Sequence, residues 1–178
     1  GIILDIIIGN ITGGDLTTLP QTAAGRFEQI HLTPWLGKYN LDLLNAVNQL
    51  LMIPLYLVLF ILHREQQPAF SALAILIFIT STILMLSANA ALPMYDLSQK
   101  YFSDQQPADQ ALYAAAGEAL LTRGAHGSPG AFPGFFLSGI AGLIISFVML
   151  RGRMLSKTIA WLGILGNILI SLYLVIVS

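Results

Sequence analysis

Long uncharged apolar stretches are the feature of this sequence that most limits its fold. Residues 43–62, 66–95, 124–150 and 158–178 contain no Asp, Glu, Lys or Arg. About 20 apolar residues in a helix are enough to cross the hydrocarbon core of a bilayer. Only 10% of the 178 residues are charged, which is too few to cover the surface of a soluble domain of this size. The sequence therefore predicts an integral membrane protein.

These stretches predict an all-α fold, a polytopic transmembrane helical bundle that makes up a single domain over residues 1–178. The apolar residues 1–8 predict the truncated tail of a fifth span, so the chain is expected to be a piece of a longer protein. No internal repeat of the kind seen in many transporters is evident. The four full spans are expected at about 41–62, 69–94, 132–150 and 158–177.

Two longer polar segments, 9–40 and 95–134, are each predicted to contain an amphipathic helix lying in the membrane interface. The first helix is expected at 20–32, with Pro20 in its first turn. The second is expected at 107–122, ended by a glycine. Together the two segments would form an outer lid over the bundle. The apolar side predicted for the second helix consists of Ala108, Ala111, Leu112, Ala115, Ala119 and Leu120.

The orientation follows from the short turns at 63–68 and 151–157, which must lie on the same side of the membrane. Lysine and arginine concentrate in short cytoplasmic loops. The turns are therefore predicted to be cytoplasmic, and the two polar segments are predicted to lie on the outer face. The cations in the short turns are Arg64, Arg151, Arg153 and Lys157, whereas Arg26, Lys38, Lys100 and Arg123 are spread over the longer segments.

One side of the first full span is polar, because amides and other polar groups recur there every three or four residues. This pattern has two interpretations: hydrogen bonds that hold helices together, or the wall of a polar pocket beside a kink at Pro54. Asn89 and Asn167, on other spans, could face the same side. The residues of the polar side are Asp42, Asn45, Asn48, Gln49 and Tyr56.

Small residues repeat every four positions on the last two spans. They are Ser138, Gly142 and Ser146 on the third, with Gly139 beside them, and Gly163, Asn167 and Ser171 on the fourth. Small side chains allow helix backbones to approach closely. These stripes therefore predict helix-packing surfaces, and the partner helix could belong to this chain or to another.

Several chemistries find no support in the composition. The absence of cysteine excludes disulfides and thiolate metal sites, and a net charge of −1 argues against nucleic acid as a partner. No metal site, catalytic motif or cofactor is predicted, although a bound lipid stays open. Three carboxylates are interpreted as ordinary interfacial groups: Asp5, Asp42 and Asp96. The histidines lie outside the span interiors, which argues against haem ligation: His31, His63 and His126.

The second half of the chain also carries a family resemblance. Three segments contribute to it: Ser-Ala-Asn at 87–89, Tyr-Ala-Ala-Ala-Gly-Glu-Ala-Leu at 113–120, and Leu-Ser-Gly-Ile-Ala-Gly-Leu-Ile-Ile-Ser-Phe-Val-Met-Leu-Arg at 137–151. Over about residues 80–170 the chain resembles a family of small bacterial multi-pass proteins grouped as a domain of unknown function. The resemblance implies a bacterial inner-membrane protein of about six spans, and it carries over no reaction or site residue.

Two classes of function follow. The preferred hypothesis is a non-catalytic accessory or structural subunit that packs against other transmembrane chains through small-residue stripes. The alternative is a small-molecule or lipid-binding membrane protein, either a transporter or an enzyme, with a polar pocket under the outer lid. A subunit predicts that Gly139, Gly142 or Gly163 faces outward to a partner. A binding protein predicts that Asn45, Asn48 and Gln49 line a cavity.

Overall fold

The computed structural model describes residues 19–124, 128–152 and 154–177. Within these ranges the chain folds into helices joined by short connections, which confirms the all-α prediction. The predicted tail of a fifth span, 1–8, lies outside the described residues. The eight helices of the described ranges are α1 (Ala23–Leu32), α2 (Pro34–Tyr39), α3 (Leu43–His63), α4 (Pro68–Ala88), α5 (Ala91–Ser103), α6 (Pro107–Gly124), α7 (Phe132–Arg151) and α8 (Lys157–Val177).

Four segments of the described chain are long and apolar enough to cross a membrane. They are α3, α4 together with its continuation in α5, α7 and α8. Helices α3, α7 and α8 begin and end close to the span boundaries predicted from the uncharged stretches, whereas the segment of α4 and α5 does not. The chain is therefore a membrane protein built from transmembrane helices.

The second predicted span, 69–94, is interrupted at Asn89, where α4 ends and α5 begins. The Asn89 side chain accepts a hydrogen bond from the backbone N–H of Ala91 at 3.1 Å. It also donates to the carbonyl of Leu41 at 3.1 Å. Pro93 has no N–H, so it fits the first turn of α5 but could not continue the hydrogen bonding of α4. The amide and the proline together set the break.

Helix α1 begins at Ala23, three residues later than predicted. Thr22 precedes it in an extended conformation, and its side chain accepts a hydrogen bond from the backbone N–H of Gly25 at 3.2 Å. A threonine in this position caps the helix, because it satisfies one of the N–H groups that lack a partner in the first turn. The cap explains why Pro20 lies before the helix instead of in its first turn.

Helix α6 covers the predicted 107–122, but the side that packs is not the alanine- and leucine-rich side expected from the sequence. Leu112 on that side is 65% exposed, whereas Gly117, Leu121 and Gly124 are buried. A Cβ atom on Gly117 would lie 2.7 Å from the Cβ of Ala23. Helix α1 therefore packs on the side of α6 where a missing side chain allows close approach.

Contacts divide the described chain into two compact units, residues 19–48 with 89–124 and residues 49–88 with 128–177. The first unit contains α1, α2, α5, α6 and the first turns of α3. Across it, the Ser98 hydroxyl donates to the Phe27 carbonyl at 2.9 Å, and the Phe27 ring lies 5.4 Å from that of Tyr101. Its buried core consists of Ala23, Phe27, Ile30, Leu41, Ala90, Ala91, Met94 and Leu121.

The second unit contains the rest of α3 with α4, α7 and α8. Helices α4 and α7 are joined by a buried hydrogen bond from the Ser81 hydroxyl to the Gly134 carbonyl at 2.7 Å. The Tyr56 and Phe78 rings are stacked, with centroids 3.8 Å apart. The core consists of Tyr56, Leu59, Ala74, Ile75, Phe78, Ala141, Ile145, Val148, Met149 and Ala160.

Helices α7 and α8 pack through the two predicted small-residue stripes. In three successive layers a glycine of one helix faces a polar side chain of the other. The layers are Gly139 with Ser171, Gly142 with Asn167, and Gly163 with Ser146, and a Cβ atom added to each glycine would lie 2.6, 2.1 and 2.4 Å, respectively, from the nearest atom of that side chain. The partner of these stripes is thus in this chain.

Candidate functional site

Three members of the predicted polar pocket are used for helix packing in the second unit. The Gln49 amide donates to the Ser138 hydroxyl at 3.0 Å. Tyr56 is buried against Phe78. The Asn167 amide donates to the Gly163 carbonyl of its own helix at 2.7 Å. These three side chains have separate partners, so the structure does not bring them together into one pocket.

The first unit brings together three other members of the predicted set. The Asp42 carboxylate accepts a hydrogen bond from the Asn45 amide at 2.8 Å. Asn89 donates to the carbonyl of Leu41, the residue before Asp42. Asp42 has a φ of 61°, the left-handed region that few residues other than glycine adopt but that aspartate tolerates. The link between α2 and α3 is therefore a polar corner of this unit.

Arg26, on the core-facing side of α1, is the residue that the sequence analysis overlooked. It is only 8% exposed, and its Nε and Nη1 atoms are buried without a hydrogen-bond partner. Burial lowers the pKa of the Arg26 guanidinium, and the Asp42 carboxylate raises it. Arginine stays protonated in proteins, so the first unit contains a buried cation with two unused donors.

The backbone of α1 around Arg26 is held by two neighbouring helices. The Glu118 carboxylate on α6 accepts a hydrogen bond from the backbone N–H of Ala23 at 2.7 Å. A negative charge at this end of a helix is favourable, because the helix dipole is positive there. On α5, the Ser98 hydroxyl donates to the carbonyl of Phe27. Arg26 thus projects from a helix whose position is fixed on both sides.

Gln29 lies one turn after Arg26 on α1, and its side-chain oxygen is also buried without a partner. It borders a shallow cavity of about 270 Å³. The cavity is lined by Pro20, Gly25, Glu28, Gln29, Leu32 and Thr33. The same helix therefore carries both unused donors and an unused acceptor in its buried part.

The spacing of α1 contained a signal for this site. Arg26 is three residues after Ala23 and four before Ile30, so it shares their side of the helix. In the structure these residues are buried together, whereas the topology prediction counted Arg26 only among the cations spread over the longer polar segments. A charge on an apolar side of a helix is seldom left unpaired in the interior.

A buried guanidinium with two unpartnered donor atoms is suited to binding an anionic oxygen group. Its planar N–H donors match the geometry of carboxylates and phosphates, and such charge-assisted hydrogen bonds are stronger than neutral ones. Within the described residues no group of three or more His, Asp or Glu side chains is placed to hold a metal ion. At Arg26 the first unit therefore offers a buried positive charge with two N–H donor atoms that have no hydrogen-bond partner.

Replacing Glu118 by alanine is expected to lower the free energy of unfolding by about 1–2 kcal/mol, because the buried N–H of Ala23 loses its acceptor. Glu118→Gln should lose less, since an amide oxygen can still accept from this N–H. Chemical unfolding of the purified protein in mild detergent, followed by circular dichroism, measures the difference. Equal losses in both variants would show that the hydrogen bond is not what Glu118 contributes.

The fold and the site define a polytopic α-helical membrane protein with a buried cationic site in one of its helical units. The chain belongs to the family described as domain of unknown function (DUF4386), whose model matches residues 2–177. The resemblance noted over residues 80–170 is thereby confirmed and extends over almost the whole chain. No curated protein and no solved structure matches the chain.

Proposed function

We propose that this protein binds a small anionic molecule or an anionic lipid head group at Arg26. The observation that carries the proposal is the burial of the guanidinium with Nε and Nη1 unpartnered. Leaving a buried donor without an acceptor costs about 1–3 kcal/mol, and more when the group is charged. A ligand with a carboxylate or phosphate oxygen would remove this cost. This proposal is a form of the hypothesis of a ligand-binding membrane protein, with the binding site on α1 instead of on the polar side of α3.

The proposal is tested with the purified full chain in mild detergent. Inorganic phosphate and a short-chain phosphatidic acid are titrated separately, and the rise in unfolding temperature reports binding. Arg26→Gln is expected to weaken binding of the active ligand by at least about tenfold. Arg26→Lys should keep part of it, because lysine retains the charge but not the planar donors. A response to phosphate alone indicates a soluble ligand, and a response limited to the lipid indicates a head group.

Arg64→Gln is the matched control, because it removes one positive charge from an exposed residue in the turn after α3. It is expected to bind like the wild type. Circular dichroism of Arg26→Gln checks that the helices are retained. The proposal is contradicted if folded Arg26→Gln shows the wild-type temperature shift, or if neither ligand shifts the wild-type protein.

We further infer that the protein resides in a bacterial inner membrane with the short turns on the cytoplasmic side. The exposed cations Arg64, Arg151 and Lys157 in these turns support this orientation. Because the chain has no cysteine, single cysteines can be introduced without background. In intact spheroplasts an impermeant maleimide should label Gln105→Cys but not Glu65→Cys, both at exposed positions. The opposite pattern would reverse the topology.

Association with other transmembrane chains is the second candidate, and one residue favours it. Asn48 is exposed on α3 and makes no hydrogen bond within the described chain. Leu51, one turn further along this apolar helix, is 71% exposed. An amide facing lipid gains by bonding to a partner helix. Native mass spectrometry should show that Asn48→Leu loses a co-purifying chain that the exposed α8 control Ile176→Ala retains. Identical spectra for both variants would argue against this role.

A further inference from the structure

A groove in the second unit lies among three membrane-spanning helices. Its volume is about 310 Å³, and its lining is entirely apolar. Helix α4 contributes one residue, α7 contributes three and α8 contributes one. The lining residues are Phe70, Leu143, Ile144, Phe147 and Ile164.

The groove is close to the ends of these helices that meet the short turns. Phe70 is in the first turn of α4, and Phe147 is four residues before Arg151, which ends α7. At 1.5 Å per residue these positions lie roughly 3 and 6 Å below the helix ends. Leu143, eight residues before Arg151, lies roughly 12 Å below them. With the short turns at the membrane interface, as the proposed topology has them, these residues face the upper part of the lipid acyl chains.

A cation lies against one of the residues that line the groove. The guanidinium of Arg151 lies over the ring of Phe147, 4.4 Å from its centroid. Phe147 is itself part of the groove lining. The contact is a cation–π interaction, which holds the charge above the apolar wall and leaves the guanidinium donors available. The exposed Arg151 side chain can therefore meet a head group directly above the groove.

We propose that this groove binds one acyl chain of an anionic phospholipid whose phosphate is held by Arg151. The site is separate from the one at Arg26 and does not depend on it. An acyl chain gains little by moving from bulk lipid into an apolar groove, because both surroundings are hydrocarbon. The preference for one lipid over another must then come from the head group. Arg151, with a positive charge at the interface, selects an anionic one.

The test compares phosphatidylglycerol with phosphatidylcholine of the same acyl chains, each added to the full chain in mild detergent and analysed by native mass spectrometry. The wild type should retain phosphatidylglycerol at least about fivefold more than phosphatidylcholine. Arg151→Gln should reduce this preference, and should abolish it when combined with Arg26→Gln, whereas Arg64→Gln, with the same change of charge, should keep it. Ile164→Phe, which fills the groove, should reduce retention of both lipids.

Because Arg26 could also take a phosphate, the comparison is repeated in Arg26→Gln, where the preference for phosphatidylglycerol should persist. Loss of the preference in Arg26→Gln with retention in Arg151→Gln would overturn the groove site while supporting the site at Arg26. Equal retention of both lipids by the wild type would also overturn it, as would an equal loss of preference in Arg64→Gln and Arg151→Gln.

Discussion

Replacing Gly37 by alanine is expected to lower the free energy of unfolding by about 3 kcal/mol. A Cβ atom at this position would lie 2.5 Å from Cγ1 of Ile30, 2.8 Å from its Cα and 3.1 Å from its backbone nitrogen. Ile30 is fully buried in the core of the first unit. Its Cα and nitrogen cannot rotate away, so α1 and α2 would have to separate. Overpacking of this kind costs about 1–3 kcal/mol, and occasionally more.

Chemical unfolding in mild detergent, followed by circular dichroism, measures this loss. The double variant Ile30→Ala/Gly37→Ala provides the decisive comparison, because it removes the contact with Cγ1 but not those with the backbone of Ile30. We expect no rescue: the double variant should be no more stable than Gly37→Ala alone. Recovery of stability in the double variant would mean that the side chain, and not the backbone approach, limits this position.

Replacing Gly142 by alanine is expected to lower the free energy of unfolding by about 2 kcal/mol, because the added methyl group disturbs the contact between α7 and α8. The added Cβ would lie 2.1, 2.5 and 2.6 Å from Oδ1, Cγ and Nδ2 of Asn167. The Asn167 amide is tied to the Gly163 carbonyl at 2.7 Å, so moving it breaks a hydrogen bond. Because every clashing atom belongs to one side chain, the cost should depend on that side chain.

Asn167→Ala is therefore expected to restore stability to Gly142→Ala, in contrast to the behaviour at Gly37. Gly166→Ala is the matched control, since no atom lies within 4 Å of the Cβ that it would add. It should be neutral or stabilising by up to about 1 kcal/mol, because alanine is the better helix former. If Gly166→Ala lost as much stability as Gly142→Ala, the packing of α7 on α8 would not explain the effect of Gly142→Ala.

The membrane-spanning helices are the part of the fold that could be predicted most completely. Hydrocarbon cannot hydrogen-bond to the backbone, so an apolar stretch of sufficient length must form a helix there. The uncharged runs therefore located α3, α7 and α8 to within a few residues. The end of α4 was missed because Asn89 and Pro93 sit in an apolar run, where composition alone shows no boundary.

The candidate site could be predicted only in part. Helical spacing indicates which side chains share a side of a helix, but it does not indicate what that side meets. Gln49 finds its partner in Ser138, 89 residues further along the chain. Asn48, the residue before it on the same helix, has no hydrogen-bond partner within the described chain and is exposed. The polar stripe of α3 was thus a real pattern whose members have different roles.

By itself, the sequence determined that this protein is helical, spans a membrane and carries small-residue stripes, because these properties depend on composition and spacing along single helices. Only the tertiary structure decided that the stripes of α7 and α8 pack on each other, that α6 turns its glycine side to α1, and that Arg26 is buried with donors unused. Each of these depends on which surfaces come within contact distance, and contact between distant segments is a property of packing.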